Sequence, residues 1–122
     1  MKFHLTRSGG RNLFTGYGDG YVAINNQRFE HSILVLPAQP VQPWEVAGFD
    51  ALTADDFEGL LQTRPEIVIL GTGDTLRFPR PELTRALLSA AVGFEAMDTR
   101  AACRTYNILM TEGRQVVAAI LI

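Results

Sequence analysis

The residues with the clearest potential for chemistry form a glycine-containing loop, Gly71-Thr-Gly-Asp74, directly after an apolar run at 67–70. Glycines allow backbone N–H groups to approach a ligand closely, and a helix that begins after such a loop favours anions at its N-terminus. Arg77 and Arg80 follow and can add positive charge. The pattern therefore predicts a site for an anion or a small molecule built from Gly71, Thr72, Gly73, Asp74, Arg77 and Arg80.

Two other interpretations of this loop stay open. It matches neither a Walker loop nor the dinucleotide-binding fingerprint, because Gly-x-Gly is not followed by the third glycine. Pro79 and Pro81 also constrain the backbone. The glycines can simply make a tight exit from a buried strand, and the loop can be a contact surface for another protein.

A second polar group lies between Asp98 and Asn107. Arg100 and Arg104 are four residues apart, so they share one face of a helix. Together with Asp98 and Asn107, these arginines can form a polar patch that extends the candidate ligand site. The alternative is that Asp98 caps the helix and the arginines face solvent.

The remaining reactive side chains form no recognisable catalytic or metal-binding set. Cys103 lies on the apolar face of the predicted helix, which favours a buried and inert thiol. His4 and His31 are distant in sequence and lack the spacing of metal ligands. We therefore predict no catalytic residue, no metal site and no cofactor, and we favour a protein that is not an enzyme.

The first 36 residues are predicted to form short antiparallel strands. Phe3 and Leu5 alternate with polar neighbours, and turns are predicted at 16–20 and at Asn25-Asn26. The segment 28–36 is predicted as one strand that passes from an edge portion into a buried portion.

Helices and strands alternate after the proline-punctuated segment that follows. A short strand is predicted at 44–46, and Trp44 is either a core residue or an exposed contact. Thr53 and Asp56 nearly match a capping box, which predicts a helix that ends before Pro65. A strand over 66–70 follows, and strand, helix and strand at this spacing predict a crossover to a parallel strand.

The last third of the chain repeats this alternation. Pro81 is predicted to begin an amphipathic helix, with Gly93 as its left-handed stop. A short strand at 94–97 leads to a helix that Asp98 caps, and 115–122 form a closing strand. Because that strand is apolar throughout, it must be central, covered or paired with another subunit.

This order of elements predicts an α/β fold, a three-layer single domain over residues 1–122. Its central sheet is mixed, helices pack on the sheet, and the N-terminal part adds an antiparallel β element. Parallel strands at 66–70 and 94–97 would bring the Gly71 loop next to the start of the Asp98 helix. Open α/β sheets commonly bind ligands at that edge.

Composition narrows the class of protein. The 122 residues include 11 basic and 13 acidic side chains, a net charge of -2, which argues against nucleic acid as a partner. No apolar run approaches the length of a membrane span. The single cysteine and the absence of a secretory signal predict a cytoplasmic protein. The composition does not decide between a monomer and a homo-oligomer.

Several segments, in order, carry a family resemblance: 65–73, Phe78-Pro79, Pro81-Glu82, 97–109 and 112–121. They resemble a widespread family of small domains of unknown function, whose relatives include a mitochondrial assembly factor for respiratory complex I and an adipogenesis-associated protein. The resemblance implies a three-layer fold with a mixed central sheet and an extra β element, and no known activity, cofactor or catalytic residue. Without a transit-like extension, the chain looks like a stand-alone prokaryotic member.

Two functional hypotheses follow. The first is a non-enzymatic protein-interaction domain, an assembly factor for a larger complex, with a protein partner. The second is a small-molecule or anion-binding domain that uses the Gly71 loop and the nearby arginines, including an enzyme of that kind.

Overall fold

The computed structural model describes residues 9–122, so the strand predicted around Phe3 and Leu5 lies outside the described residues. Two 3₁₀ turns, Phe49–Ala51 and Gly59–Thr63, flank the first helix. The strands are β1 (Phe14–Gly18), β2 (Tyr21–Ile24), β3 (Gln27–Phe29), β4 (Ile33–Val35), β5 (Gln42–Pro43), β6 (Ile67–Gly71), β7 (Gly93–Met97) and β8 (Val116–Ile120). The helices are α1 (Ala54–Glu58), α2 (Pro81–Ser89) and α3 (Thr99–Thr111).

The central layer is a mixed sheet of five strands in the order β5-β4-β8-β6-β7. β6 is parallel to both β7 and β8, whereas β4 is antiparallel to β8 and to β5. Every residue of β8 is buried, and the strand lies in the middle of the sheet. The apolar C-terminal strand is therefore central, one of the three arrangements expected for it.

Helices and the second sheet cover the two faces of this layer. One face carries α1 and α2, whose Phe57 and Leu87 are fully buried. The other face carries α3 and the three-stranded antiparallel sheet β1-β2-β3, which meet around Phe14 and Tyr106. The predicted three-layer α/β architecture with an additional N-terminal β element is confirmed. Within residues 9–122, no helix is long and apolar enough to cross a membrane.

The N-terminal sheet differs from the prediction in two places. The turn at Asn25-Asn26 is confirmed, with φ values of 49° and 69°. The turn predicted at 16–20 is wrong in extent, because 16–18 belong to β1 and the chain reverses only at Asp19-Gly20. A Cβ on Gly18 would overlap the ring of Tyr21 across the hairpin, so a larger residue there would require that side chain to move.

The single strand predicted over 28–36 is also wrong. The chain bends at 30–32, which separates β3 from β4. Phe29 pairs with Val22 in the small sheet, whereas Ile33 pairs with Ile120 in the central sheet. The segment passes from one layer to the other, and one straight strand cannot serve both sheets.

The short strand predicted at 44–46 lies earlier, at 42–43, because Pro43 pairs with Ile33. Trp44 follows it and packs edge-on against Phe57, with ring centroids 6.2 Å apart, so it is a core residue. The crossover predicted between this strand and the strand at 66–70 joins two parallel strands, as expected, but the two strands are not neighbours in the sheet. β5 and β6 run the same way, but β4 and β8 lie between them.

The helix ends follow local chemistry with two exceptions. The first helix is predicted to end just before Pro65, but α1 ends at Glu58 and the 3₁₀ turn Gly59–Thr63 completes the segment. Thr53 and Asp56 form the capping box, and the Asp98 carboxylate accepts a hydrogen bond from the Ala101 N–H. The left-handed stop of α2 is Ala91, with φ 58°, and the prediction of Gly93 is wrong. The Val92 N–H closes the helix by donating to the Leu87 carbonyl. Gly93 already begins β7.

Candidate functional site

The predicted meeting of the Gly71 loop with the start of α3 is confirmed. β6 and β7 are parallel, so their carboxyl ends lie at the same sheet edge. There the Thr72 N–H donates to the Met97 carbonyl, and the Thr99 N–H donates to the Gly73 carbonyl, each at 2.9 Å. These bonds join the loop that follows β6 to the N-terminus of α3.

The two glycines have separate structural reasons. A Cβ on Gly71 would lie 2.8 Å from Ile120 Cδ1 and 3.3 Å from the Ala102 Cβ, so the absent side chain lets α3 pack closely on the sheet. Gly73 has φ 94°, a conformation that side chains disfavour. These observations match the interpretation in which the glycines form a tight exit from a buried strand.

Thr72 organises the segment that we call the 72–80 loop. Its side chain is buried, and its hydroxyl donates to the Thr75 carbonyl at 2.7 Å, with the Met97 carbonyl oxygen 3.2 Å from the same hydroxyl. The same oxygen accepts the N–H of Arg77 at 3.2 Å. The Gly73 N–H donates to Thr99 Oγ1 at 3.0 Å. Hydrogen bonds within the loop and to Met97 and Thr99 thus hold it, and the N–H groups of Thr72, Gly73 and Arg77 already have acceptors.

The predicted arginines do not converge on one point. Arg77 donates to Asp50 Oδ1 at 2.8 Å and lies 4.1 Å over the Phe49 ring, which anchors the 72–80 loop to the 3₁₀ turn. Arg104 donates to the Tyr17 hydroxyl at 3.0 Å, and Arg100 lies 5.9 Å from the centre of the same ring. The two α3 arginines therefore face β1.

The remaining predicted site residues lie around the loop. Asp98 caps α3, whereas Asp74 and Arg80 are exposed, and Arg80 makes no ion pair with another described residue. A small cleft of about 160 Å³ opens beside Gly73 and Asp74. Ligand binding by these residues stays a prediction.

The side chains that sequence reasoning missed are Leu76 and Phe78, in the same loop. Leu76 is 49% exposed and Phe78 is 73% exposed, although both are large and apolar. One signal was present in the sequence, since two large apolar residues stand between glycines and prolines without a helical or strand period. Two exposed apolar side chains this close in the sequence make the loop a candidate contact surface.

Cys103 and Tyr106 form the buried, titratable part of α3. Both side chains are fully buried, and the Tyr106 hydroxyl donates to the Asn12 carbonyl at 3.1 Å. Burial raises the pKa of the Cys103 thiol from 9.0 to about 12, against the smaller opposing effect of Arg104. Burial also raises the pKa of the Tyr106 phenol above its ordinary value. The thiol is therefore protonated at neutral pH, as an inert core residue would be.

This burial predicts a loss of stability at alkaline pH. Above about pH 9 the thiol ionises in the unfolded chain but stays protonated in the fold up to about pH 12. The unfolded state then binds fewer protons, so the free energy of unfolding falls as pH rises, by at most about 1.4 kcal/mol per pH unit for one group. Urea unfolding at several pH values between 8 and 11 measures this slope.

Cys103→Ala provides the control for that prediction. The variant removes the thiol contribution and leaves that of Tyr106, so its stability should fall less steeply with pH. Native protein should also resist iodoacetamide at pH 8 until urea unfolds it. Equal slopes in the two proteins, or rapid alkylation of the folded chain, would show that the thiol is accessible.

Comparison with known proteins gives the family. A family model described as a protein of unknown function, DUF498/DUF598, matches residues 14–121. A crystal structure of a protein from Bordetella parapertussis is 46% identical, with a TM-score of 0.88, and the match covers 92% of this chain and 96% of that chain. The fold described above is therefore shared with an experimentally solved relative.

Two relatives carry names that concern function or location. NADH dehydrogenase (ubiquinone) 1 alpha subcomplex assembly factor 3 from Bos taurus is 36% identical over 104 residues, which is 84% of this chain and 55% of that protein. The chain thus spans about half the length of such relatives. The 13 kDa major membrane protein of Francisella tularensis is 26% identical over 110 residues, 89% of each chain. The chain belongs to the DUF498/DUF598 family of proteins of unknown function, which includes NADH dehydrogenase assembly factors.

Proposed function

We propose that this domain binds another protein through the 72–80 loop and acts in the assembly of a larger complex. The observation that carries the proposal is Phe78, a large aromatic side chain that is 73% exposed on a loop with fixed hydrogen bonds. The assembly-factor names among the relatives support the role in a complex.

The physical argument concerns the cost of binding. Aromatic side chains often dominate protein interfaces, because they bury a large area in one pocket of the partner. A loop that is ordered before binding loses less conformational entropy when the partner docks. Thr72 and Arg77 hold the backbone of the 72–80 loop on both sides of Leu76, which limits the conformations that the loop must lose on binding.

The charges around the loop indicate the chemistry of the partner. Arg80 is exposed beside the apolar tip and has no ion-pair partner among the described residues. We therefore expect an apolar pocket for Phe78, with a carboxylate of the partner opposite Arg80. An anionic membrane is a poorer match, because the loop and its neighbours carry three acidic side chains, Asp50, Asp74 and Glu82, against Arg77 and Arg80.

A comparative capture experiment tests the proposal. The wild-type chain, Phe78→Ser and Leu88→Ser are used as bait in a native lysate of the source cells, and captured proteins are quantified by mass spectrometry. Leu88 is the matched control, since it is 79% exposed but lies on α2. A partner retained by Leu88→Ser and lost by Phe78→Ser is expected. Equal capture by all three baits would contradict a role for the loop.

The alternative function, small-molecule or anion binding at 71–74, including enzymatic use of such a site, has less support. The Thr72 and Gly73 N–H groups already have acceptors, and Arg77, Arg100 and Arg104 contact other side chains. The small cleft beside Gly73 and Asp74 is the feature that favours it. Titration with inorganic phosphate, followed by NMR shifts of Gly71 to Asp74, tests it directly.

We also propose that the domain works in the cytoplasm and does not use nucleic acid. The net charge of -2 gives no general attraction to phosphates. The lone thiol of Cys103 is free, which fits a reducing compartment. Cell fractionation and a mobility-shift assay test these points, and light scattering reports whether the chain forms a homo-oligomer.

A further inference from the structure

The sheet edges of the described residues are protected to different degrees. At one edge of the central sheet, β5 is only two residues long and contains Pro43. In the small sheet, β3 is three residues long, and the outer side of β1 is occupied at Phe14 by the side chain of Asn107. β7 is the exception, since five residues form an edge and no described strand pairs with its outer side.

The hydrogen bonds to β6 show which groups of β7 point outward. The Gly93 N–H donates to the Glu66 carbonyl, and the Met97 carbonyl accepts the Thr72 N–H. Residues 93, 95 and 97 therefore direct their backbone groups toward β6. Because a strand alternates, the N–H and C=O groups of Phe94 and Ala96 point away from the sheet. These four groups form a template for one more strand.

The side chains of β7 define what that strand would contain. Phe94 and Ala96 are half-buried on the face that carries α1 and α2, and Phe94 packs edge-on against Phe57 at 5.7 Å. Glu95 is exposed and lies on the α3 face, in register with Ile69. An added strand with apolar residues on the first face and a basic residue on the second would extend the core and pair with Glu95.

We propose that the outer edge of β7 accepts an extended segment of the protein partner by β-strand addition. This inference rests on the proposed function, that the domain binds a protein. The partner segment has alternating apolar residues that meet Phe94 and Ala96, and a lysine or arginine beside Glu95. Backbone hydrogen bonds supply affinity in this mode, and alternate side chains supply specificity.

Two observations favour a different protein over a second copy of this chain. Pairing two β7 strands about their centre would place the two Glu95 carboxylates opposite each other, which is unfavourable. The edge is also continuous with the 72–80 loop, because Thr72 is hydrogen-bonded to Met97, the last residue of β7. One partner can therefore contact both the edge and Phe78.

A peptide-binding experiment tests the edge. The probe is a fluorescent nine-residue peptide in which valines alternate with threonines, with a central lysine on the threonine face. A second peptide carries glutamate in place of that lysine. Wild-type protein should bind the lysine peptide at least about threefold more tightly than the glutamate peptide, because lysine pairs with Glu95 whereas glutamate is repelled by it.

Two variants of the chain sharpen this test. Ala96→Pro removes an outward N–H without removing a bond to β6, and edge strands tolerate proline at such positions. This variant should bind the lysine peptide at least about tenfold more weakly than the wild-type protein does. Glu95→Lys should reverse the preference between the two peptides, and it keeps the test valid if Ala96→Pro fails to fold.

The outcomes separate this inference from the proposed function. Phe78→Ser should leave peptide binding unchanged, because the peptide does not reach the loop, while it abolishes capture of the protein partner. Peptide binding that is absent, or unaffected by Ala96→Pro and Glu95→Lys, would overturn the inference about β7 even where capture through Phe78 succeeds. A wild-type dimer that Ala96→Pro dissociates would also overturn it, by identifying a second copy as the occupant.

Discussion

Replacing Phe78 with serine is expected to weaken binding of the protein partner about 30-fold or more, which corresponds to about 2 kcal/mol of binding free energy. The side chain is 73% exposed, so the free chain loses little packing when it is truncated. In the complex, the same truncation leaves an apolar pocket of the partner unfilled. Fluorescence anisotropy with the purified captured partner measures the change in Kd, and urea unfolding checks that stability is unchanged.

Leu88→Ser is the control for this prediction. It removes an apolar side chain of comparable exposure from α2 and should change Kd by less than about threefold, as for a residue outside the interface. A similar loss in both variants would point to a general effect of surface hydrophobicity. An unchanged Kd in Phe78→Ser would remove the loop from the interface.

Replacing Asn107 with leucine is expected to lower the free energy of unfolding by about 3 kcal/mol, the largest stability effect that we predict. The Asn107 amide accepts the Phe14 N–H and donates to the Phe14 carbonyl, both at 2.9 Å. The Asn107 amide therefore makes the two hydrogen bonds that a neighbouring strand would make with Phe14 on the outer side of β1. Leucine satisfies neither group and leaves two backbone groups without partners, so the small sheet separates more easily from α3.

Urea unfolding of Asn107→Leu and of Ile108→Ala measures this effect. Ile108 is the next residue on α3 and is 58% exposed, so its truncation should cost less than about 0.5 kcal/mol. A loss below about 1 kcal/mol for Asn107→Leu would show that water replaces the amide at Phe14 without penalty.

The features predicted correctly from the sequence are mainly those that depend on residues close together in the chain. The Thr53 and Asp98 caps and the Asn25-Asn26 turn each require only the chemistry of a few adjacent side chains. The meeting of the Gly71 loop with α3 was also predictable, because two parallel strands end at the same edge of a sheet.

The features that were missed depend on contacts between distant parts of the chain. Asn107 was assigned to a polar patch with Arg100 and Arg104, but its amide binds Phe14, 93 residues away in sequence. The arginines shared a helical face as expected, yet that face meets Tyr17 of β1. No helical pattern specifies which sheet will cover a face.

The proposed contact surface lies in the same loop as the predicted ligand site, but different side chains of that loop form it. The residues predicted for a ligand site were glycines and charged side chains, which suit an anion, whereas the large apolar side chains that the loop exposes are Leu76 and Phe78. The buried Thr72 hydroxyl takes up backbone groups of the loop in internal hydrogen bonds, and Leu76 and Phe78 are left exposed. That arrangement follows from the three-dimensional path of the loop, which local sequence patterns do not encode.

Site-specific photo-cross-linking tests the central claim most directly. A photoreactive phenylalanine analogue is placed at position 78 in one protein and at position 88 in another, and both are irradiated in source cells. A protein-binding loop predicts a discrete cross-linked species from position 78 that position 88 does not give. The same weak smear from both positions, or a specific product from position 88 alone, would contradict the assignment of the 72–80 loop as the protein-binding surface.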